Sequence, residues 1–342
     1  MKIAQRQISE KNIPVIIVEL GINHQGNLEV AKNMVLEAAK SGAEIIKHQT
    51  HFVEHEMTTE AKNIFPPNAD ISIWEVMKRN SLSTSDEIKL KDYAEELGLI
   101  YISTPFSREA TDFLDSIDVP AFKIGSGECN NLPLVRHIAS KGKPVILSTG
   151  MNSIASIKRT VKILEQSGID YALLECTNMY PSPPENVSLR GIIELKETFP
   201  NAIIGFSDHS IGPSMAIAAL GLGASIIERH FTDTRYRFGP DISCSMDPAE
   251  LRYLSDSSKE IHTALTNPKQ RTKEEESVYH FARASIVADE DIEAGTILSE
   301  RNIWARRPGN GPIPAYDFDK LIGRTIIVSV KKNTQLDWSM IE

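Results

Sequence analysis

Short apolar runs alternate with longer stretches of helical periodicity over residues 15–265. The short runs have the composition of buried strands and lie at 15–18, 43–46, 99–102, 121–124, 145–147, 171–174, 202–206 and 224–227. The longer stretches place apolar residues three and four positions apart and predict helices at 28–41, 85–97, 132–140, 154–167, 188–198, 213–222 and 248–265. The pattern therefore predicts a series of strand–helix units.

Eight strand–helix units fill this region, and eight parallel strands followed by helices are typical of an α/β fold, the (β/α)8 TIM barrel. A doubly wound open sheet is the alternative, but it would place its ligand at one switch point. Every predicted strand here ends in polar or charged residues, which favours a barrel with a site built from all the strand-to-helix loops. Neither a Gly-x-Gly-x-x-Gly fingerprint nor a P-loop is present.

The pattern changes after the last predicted helix. Residues 267–279 are charged and lack apolar periodicity, which indicates a linker, and β-type runs at 285–287 and 325–328 follow among Gly and Pro turns. We therefore predict a barrel domain at 1–266, a linker at 267–284 and a small domain at 285–342. A unit of about 58 residues is small to be stable alone and is expected to pack on a barrel, its own or a neighbour's. The insertion at 50–82 is predicted to be irregular and functional.

Composition narrows the class of protein. The 342 residues carry a net charge of −9 and no long basic run, which argues against nucleic acid and anionic membranes as partners. The apolar runs are far shorter than a membrane span, and residues 1–11 lack the apolar core of a signal peptide. Three scattered cysteines are too few for a disulfide framework. A cytoplasmic enzyme fits best, and a local cationic pocket for a phosphorylated substrate remains compatible.

Two histidines occupy matching places on successive strands. His209 and His230 each follow a strand with a helix between them, so both are expected at the same edge of the sheet. Two imidazoles there could hold a divalent metal with positions open to substrate. The alternative is that each histidine is structural.

Lys47 and Lys123 fall at predicted strand ends, near hydroxyl groups and glycine-rich turns. A lysine is rarely buried without a partner, and two lysines with hydroxyls and free backbone N–H groups make a phosphate cradle. Pairing with a barrel carboxylate such as Glu19 or Glu128 is the alternative. A third reading is a Schiff-base lysine, as in barrel aldolases, although it leaves the paired histidines without a role.

Several other polar residues could carry chemistry at the same face. Glu19 and Glu128 could each act as a general base or order a water, or else serve as a structural partner of a cation. Asp241 follows a rigid Gly-Pro turn and could contact a sugar hydroxyl, and Asn178 and Tyr180 precede a stiff proline-rich loop and could bind hydroxyls or a phosphate. A plain turn and a packing tyrosine are the alternatives.

A series of motifs in this order resembles the sialic acid synthases, that is, N-acetylneuraminate synthases and their bacterial relatives that make legionaminic or pseudaminic acid. The motifs are Glu19-Leu-Gly-Ile-Asn-His24, Lys47-His-Gln-Thr50, Ser103-Thr-Pro-Phe106, Lys123-Ile-Gly-Ser-Gly-Glu128, Ser148-Thr-Gly-Met151, Ser207-Asp-His209, Glu228-Arg-His-Phe231, Gly239-Pro-Asp241 and Arg307-Pro-Gly-Asn-Gly311. The resemblance covers essentially the whole chain, and its C-terminal unit looks like the family's antifreeze-like (SAF) domain. Lys-His-Gln-Thr-His and Gly-Glu-Cys-Asn-Asn are most similar to the bacterial N-acetylneuraminate branch.

The resemblance implies condensation of phosphoenolpyruvate with N-acetylmannosamine, with release of phosphate. It implies manganese or magnesium on His209 and His230, an orienting role for Glu19 and proton transfer by Glu128. The residues that would hold phosphoenolpyruvate are Lys47, Thr104, Lys123, Ser126, Ser148, Asn178 and Ser207. The residues that would contact the sugar are Gln49, Asn68, Tyr180 and Asp241.

The resemblance also implies a domain-swapped homodimer. Arg307 and Phe281 of one subunit would then cover the N-acetyl end of the sugar bound by the partner. The chain departs from its relatives at Glu175, where they often carry His, and at Tyr236 and Phe238 before Asp241. These departures bear on the choice of sugar. A diacetamido-trideoxy hexose is the alternative acceptor, and a Schiff-base aldolase and a non-catalytic carbohydrate-binding protein are the alternative functions.

Overall fold

The computed structural model describes residues 1–66 and 70–342. The described chain forms two compact units, Met1–Asn267 and Pro268–Glu342, and each is described by itself. Within the described residues no helix is both long enough and apolar enough to cross a bilayer.

The first unit is a closed parallel barrel, which confirms the predicted fold. An antiparallel pair, β1 (Lys2–Ile3) and β2 (Arg6–Gln7), precedes it. Eight strands of the described chain then close in sequence order, with the last paired to the first. They are β3 (Val15–Glu19), β4 (Ile45–Thr50), β5 (Ile100–Pro105), β6 (Phe122–Ile124), β7 (Val145–Ser148), β8 (Tyr171–Cys176), β9 (Ile203–Asp208) and β10 (Ile226–His230).

Helices follow the strands, and most of them cover the outside of the barrel. They are α1 (Leu28–Lys40), α2 (Val53–Glu56), α3 (Ile73–Asn80), α4 (Thr84–Glu96), α5 (Arg108–Ser116), α6 (Leu132–Ala139), α7 (Ile154–Gln166), α8 (Leu189–Thr198), α9 (Ser214–Gly221) and α10 (Pro248–Thr266). Several begin at the side-chain caps that their sequences indicate, as where Asn27 accepts from the backbone N–H groups of α1.

Two sequence expectations differ from the structure. The insertion at 50–82 is partly helical, because Ser72 caps α3 and the apolar residues Trp74 and Val76 of that helix are buried. The strands also extend past their apolar runs. For example, β4 continues through Lys47 to Thr50, so its polar side chains belong to the strand and not to the loop after it.

Two apolar layers hold the barrel together. The larger lies between the strands and the helices and includes Val18, Met34, Phe122 and Phe206. The smaller fills the interior of the barrel at its amino-terminal end, and its residues are Ile3, Ile8, Val15, Ile17, Ile45, Ile102, Ala121, Ile146, Ala172, Leu174 and Ile226. Because side chains alternate along a strand, the next inward positions after this layer lie nearer the carboxyl ends of the strands.

The second unit contains α11 (Glu276–Ala282), β11 (Ser285–Ala288) and β12 (Ile303–Arg306), of which the two strands pair antiparallel. The stretch predicted as a linker, 267–284, thus holds a helix. The predicted strand at 325–328 is wrong, because Thr325 and Ile326 make only isolated bridges. A small core that includes Ile286, Ile303 and Leu321 stabilises the unit.

Candidate active site

One layer of polar side chains lines the carboxyl-terminal half of the barrel. Each strand contributes one residue to it, two positions after the residue that points into the apolar layer of the barrel interior. The polar layer is Glu19, Lys47, Thr104, Lys123, Ser148, Cys176, Ser207 and Glu228. Gly205 is the inward residue below Ser207, and a Cβ there would lie 2.5 Å from both the Leu174 side chain and the Ile226 carbonyl. Successive inward positions along the strands are therefore apolar in the lower layer and polar in the layer above it, where the site lies.

Two buried lysines share one carboxylate in this layer. The Nζ atom of Lys47 lies 2.7 Å from Glu19 and 3.4 Å from Glu228, and the Nζ atom of Lys123 lies 3.5 Å from Glu228. Burial opposes the charge on Lys47, but the two carboxylates raise its pKa above the ordinary value. Burial lowers the pKa of Lys123, and Glu228 offsets this only in part. Burial opposes ionisation of Glu228, but the two lysines hold its pKa below the ordinary value.

Hydroxyl and amide groups surround the lysines. Lys123 donates to Ser148 at 2.7 Å, Lys47 donates to Thr104 at 3.3 Å, and the backbone N–H of Gly150 donates to Ser126 at 3.1 Å. The inner cavity that these groups enclose has a volume of about 530 Å³ out to its mouth. Its remaining lining residues include Asn178, Ser207, His209 and His230. The arrangement can bind a small, strongly anionic ligand.

His209 and His230 lie together on one wall of the inner cavity, with ring centroids 5.4 Å apart. The Nδ1 atom of His209 lies 2.8 Å from the Thr177 carbonyl, so it carries the proton and Nε2 keeps its lone pair. Burial and, next, His230 lower the pKa of His209 to about 3, which keeps the ring neutral. His230 Nδ1 lies 3.7 Å from Asp241 and has no hydrogen-bond partner among the described residues.

These two rings fit a divalent metal. A neutral imidazole whose second nitrogen donates to a carbonyl is the usual state of a metal-bound histidine. Within residues 1–66 and 70–342 no group of three or more His, Cys, Asp or Glu side chains has a ligand arrangement, so other positions on an ion would fall to substrate and water.

An outer cavity of about 800 Å³ continues from the inner one and shares Gln49, Phe106, Tyr180 and His230 with it. Asp241 lies on its rim, and burial raises the pKa of this carboxyl. Its other lining residues are mostly apolar and come largely from the insertion: Ile22, Pro66, Ile73, Val76, Met77 and Pro240. The outer cavity can therefore hold a larger ligand with both polar and apolar faces.

Most of the residues predicted for the site lie around these two cavities. The inner cavity has Lys47, Thr104, Lys123, Ser126, Ser148, Asn178, Ser207, His209 and His230 on its wall, and the outer one has Gln49, Tyr180 and Asp241. Glu19 contacts the inner cavity through its ion pair with Lys47 and by accepting from Gln49 at 2.7 Å. Their individual roles stay predictions.

The remaining predicted residues lie elsewhere. Glu128 is half-buried outside the lining of both cavities and accepts a hydrogen bond from Asn131 at 2.6 Å. Phe281 and Arg307 are exposed residues of the second unit, and Asn68 lies outside the described residues. Sequence reasoning missed Glu228 as a site residue. The signal for it was its place two residues after the buried Ile226.

Comparison with known proteins gives a consistent result. The model of the NeuB family matches residues 34–270, and the model of the SAF domain matches residues 283–342. The chain is 34% identical to the N,N'-diacetyllegionaminic acid synthase of Campylobacter jejuni, with 93% of this chain and 97% of that protein covered. It is 33% identical to the human N-acetylneuraminate-9-phosphate synthase, with 96% and 92% covered.

Solved structures agree with these sequence relatives. The chain superimposes on the N-acetylneuraminic acid (sialic acid) synthetase of Leptospira borgpetersenii, solved in complex with citrate, with a TM-score of 0.75 and 30% identity. That match covers 81% of this chain and 94% of the other. The chain is therefore an enzyme of the NeuB family, the family of sialic acid and related nonulosonic acid synthases, with a C-terminal SAF domain.

Proposed function

We propose that this enzyme condenses phosphoenolpyruvate with N-acetylmannosamine and water to give N-acetylneuraminate, with release of phosphate. The observation that carries the proposal is the shared placement of two buried lysines, several hydroxyl donors and two histidines around one inner cavity. Carbon 3 of phosphoenolpyruvate attacks the sugar aldehyde, whose oxygen takes up a proton. Water adds at carbon 2, and phosphate leaves with cleavage of its C–O bond.

The inner cavity suits phosphoenolpyruvate because cations and hydroxyl donors converge there. The charged form of Lys47 and the Lys123–Ser148 pair offer donors to phosphate and carboxylate oxygens. Ser126, Asn178, Ser207 and Thr104 would complete the contacts. A dianionic phosphate would also favour the charged form of Lys123, whose pKa burial lowers.

His209 and His230 would hold manganese or magnesium between the two cavities. Such an ion supplies Lewis-acid polarisation of the sugar aldehyde when it is bound. The chain's contribution is to keep His209 neutral by burial and to fix its ring by the bond to the Thr177 carbonyl. Tyr180, whose ring centroid lies 4.2 Å from that of His209, limits the space at this position.

Glu19 would orient the attacking water or the tetrahedral intermediate. Its carboxylate lies at the level of the lysines and is held by Lys47 and Gln49, so its direction is fixed before substrate binds. Proton transfer by Glu128 would need that side chain to leave Asn131, which now donates to it.

A legionaminate or pseudaminate synthase is the second candidate. The apolar outer cavity favours it, since Ile73, Val76 and Met77 would pack against methyl and acetamido groups better than against the hydroxyls of N-acetylmannosamine. A relative named for diacetyllegionaminic acid, 34% identical, points the same way. Under either function we propose a cytoplasmic, domain-swapped homodimer in which Arg307 and Phe281 of the partner close over the sugar.

The experiment that tests the proposal measures phosphate release from phosphoenolpyruvate with Mn²⁺ present. N-acetylmannosamine is compared with 2,4-diacetamido-2,4,6-trideoxy hexoses. Preference for N-acetylmannosamine supports the proposal, and preference for a diacetamido sugar supports the second candidate. If no sugar gives phosphate release, condensation is excluded. Borohydride trapping of a lysine–substrate adduct would then identify a Schiff-base aldolase, and sugar binding without phosphoenolpyruvate would identify a binding protein.

A further inference from the structure

A row of side chains connects the surface of the barrel to Glu19. The ring of His51 lies between Glu56 and Gln49: its Nδ1 atom is 3.0 Å from both oxygens of Glu56, and its Nε2 atom is 3.1 Å from Gln49 Oε1. The amide nitrogen of Gln49 then donates to Glu19 Oε1 at 2.7 Å. The His51 and Glu56 side chains are only 3% and 5% exposed. The contact between these two side chains is therefore largely buried.

Donor and acceptor roles in this row follow from its two ends. Glu19 faces the ammonium of Lys47 at 2.7 Å and so acts as an ionised acceptor. Gln49 must present its NH₂ group to that carboxylate, which turns its carbonyl oxygen toward His51. An oxygen there needs a donor on His51 Nε2, and the carboxylate of Glu56 needs a donor on Nδ1. A neutral imidazole has only one N–H group and cannot meet both needs.

We propose that His51 acts as a doubly protonated positioning residue that sets the orientation of the Gln49 amide and, through it, the direction of Glu19. The inference rests on the proposed function only for its kinetic consequence, since Gln49 and Glu19 are the groups that meet the sugar and the attacking water. Loss of the Nε2 proton would leave two acceptors, Nε2 and Gln49 Oε1, facing each other. An amide that turned to donate to Nε2 would instead place its carbonyl oxygen against the Glu19 carboxylate, so one pair of acceptors would repel in either orientation.

An anion and an aromatic ring lie against His51. Glu56 from α2 supplies the counter-charge, and the ring of Phe106 stacks on His51 with centroids 4.3 Å apart and an angle of 12°. His24, from the loop after β3, is a further titratable group near the ring, and its pKa is lowered in part by His51. Glu19 and Lys47 are linked to His51 through Gln49.

The first test is independent of activity. Nitrogen-15 spectra of histidine-labelled enzyme at about pH 7 report whether each ring nitrogen carries a proton, and His51→Phe assigns the signals. We expect two N–H nitrogens for His51. A bare nitrogen with one N–H would overturn the proposal, even if the enzyme releases phosphate normally.

The second test is a double-mutant cycle on kcat/KM for the acceptor sugar. His51→Phe keeps a ring against Phe106 but removes both N–H groups, and we expect a loss of about tenfold to 100-fold. In the Gln49→Ala background the same change should cost less than about twofold, because the amide it orients is gone. Equal losses in both backgrounds would overturn the proposal.

The matched control is His55→Phe in α2, the helix that holds Glu56, where the histidine is half-exposed and lies 3.7 Å from Glu109. It should leave kcat/KM near the wild-type value. If the wild-type enzyme used none of the sugars, the proposed function would fail while the spectra still decided the state of His51.

Discussion

Glu19 and Lys47 are register partners on neighbouring strands, and their charged atoms lie 2.7 Å apart inside the barrel. The side chains are 1% and 5% exposed, so both charges have left water. A buried pair of this kind stabilises little by itself, but removal of one partner leaves an uncompensated charge. Here Glu228 extends the pair to Lys123, and the site depends on a balance of two cations and two anions.

The Glu228→Gln variant tests this balance. Loss of the shared carboxylate lowers the pKa of Lys123 further, because burial already opposes its charge. We expect the barrel to lose about 3–5 kcal/mol of stability. We also expect KM for phosphoenolpyruvate to increase with pH in both enzymes, and this increase should begin at a lower pH in the variant than in the wild type. Steady-state kinetics across pH and urea unfolding measure the two effects. Glu260→Gln, an exposed change on α10, is the control, and equal behaviour of both variants would contradict the prediction.

Gly150 provides a test of the phosphate end of the cavity. A Cβ at this position would lie 1.9 Å from Asn178 Oδ1, 2.8 Å from the Cys176 carbonyl and 3.0 Å from Ser126 Oγ. Gly150→Ala should therefore displace two predicted ligands of phosphoenolpyruvate and raise its KM by about tenfold or more. Initial rates at saturating sugar measure this. Gly221→Ala in α9, where nothing lies within 4 Å, should leave KM unchanged.

The metal proposal predicts a specific binding defect. Because the pKa of His209 is lowered to about 3, its ring is neutral at ordinary pH and needs to release no proton to bind an ion. Chelation should abolish phosphate release and added Mn²⁺ should restore it. His209→Ala should bind Mn²⁺ at least about tenfold more weakly in calorimetric or magnetic-resonance titrations. His262→Ala on α10 is the control. Wild-type affinity in His209→Ala would remove His209 from the site.

Glu228 and Glu128 show how far sequence reasoning reaches. In the sequence both come after a predicted apolar run. The linear pattern left Glu128 open between a general base and a structural partner of a cation, and the resemblance to the sialic acid synthases implied proton transfer by it. The structure places Glu228 inside the polar layer and Glu128 outside the cavity lining. The difference lies in which way each side chain points. Glu228 lies two residues after the inward Ile226 on the same strand and so also points into the barrel, whereas Glu128 lies beyond the end of β6 in a short 3₁₀ turn.

The fold and most of the lining were predictable because strand–helix alternation and polar strand ends are local signals. The helical form of the insertion was harder to predict. The charged residues around α3 obscured its short apolar stripe, and its Met77 and Val76 meet the cavity only through tertiary packing. The His51–Glu56 contact could likewise not be predicted from the sequence, because it depends on how α2 packs against the end of β4.

The domain-swapped dimer can be tested by complementation. Arg307→Ala and Glu19→Ala subunits are each expected to be inactive alone. If Arg307 serves the partner's barrel, a mixed dimer contains one intact site, and random exchange should restore about a quarter of the wild-type rate. Phosphate release before and after subunit exchange measures this. Absence of any recovery in verified heterodimers would show that each site is built from one chain.

A buried histidine row outside the barrel should make stability depend on pH. His24 Nδ1 accepts from the Gly26 backbone, its Nε2 faces His48 at 3.1 Å, and His48 lies 3.2 Å from Glu87. Burial, then His48 and His51, lower the pKa of His24 from 6.5 to about 3. His24 therefore binds a proton below pH 6.5 in the unfolded chain, whereas in the folded chain it becomes protonated only at about pH 3.

This linkage gives a defined slope. The contribution of His24 to stability is fully present above pH 6.5 and is lost as the pH falls toward 3, by about 1.4 kcal/mol per pH unit. His24→Gln keeps an acceptor for Gly26 and a donor for His48 but cannot take up the proton, so its unfolding free energy should fall less steeply over this range. Urea unfolding followed by far-UV circular dichroism measures the difference, with His262→Gln as the control. Parallel curves for wild type and His24→Gln would show that His24 titrates alike in both states.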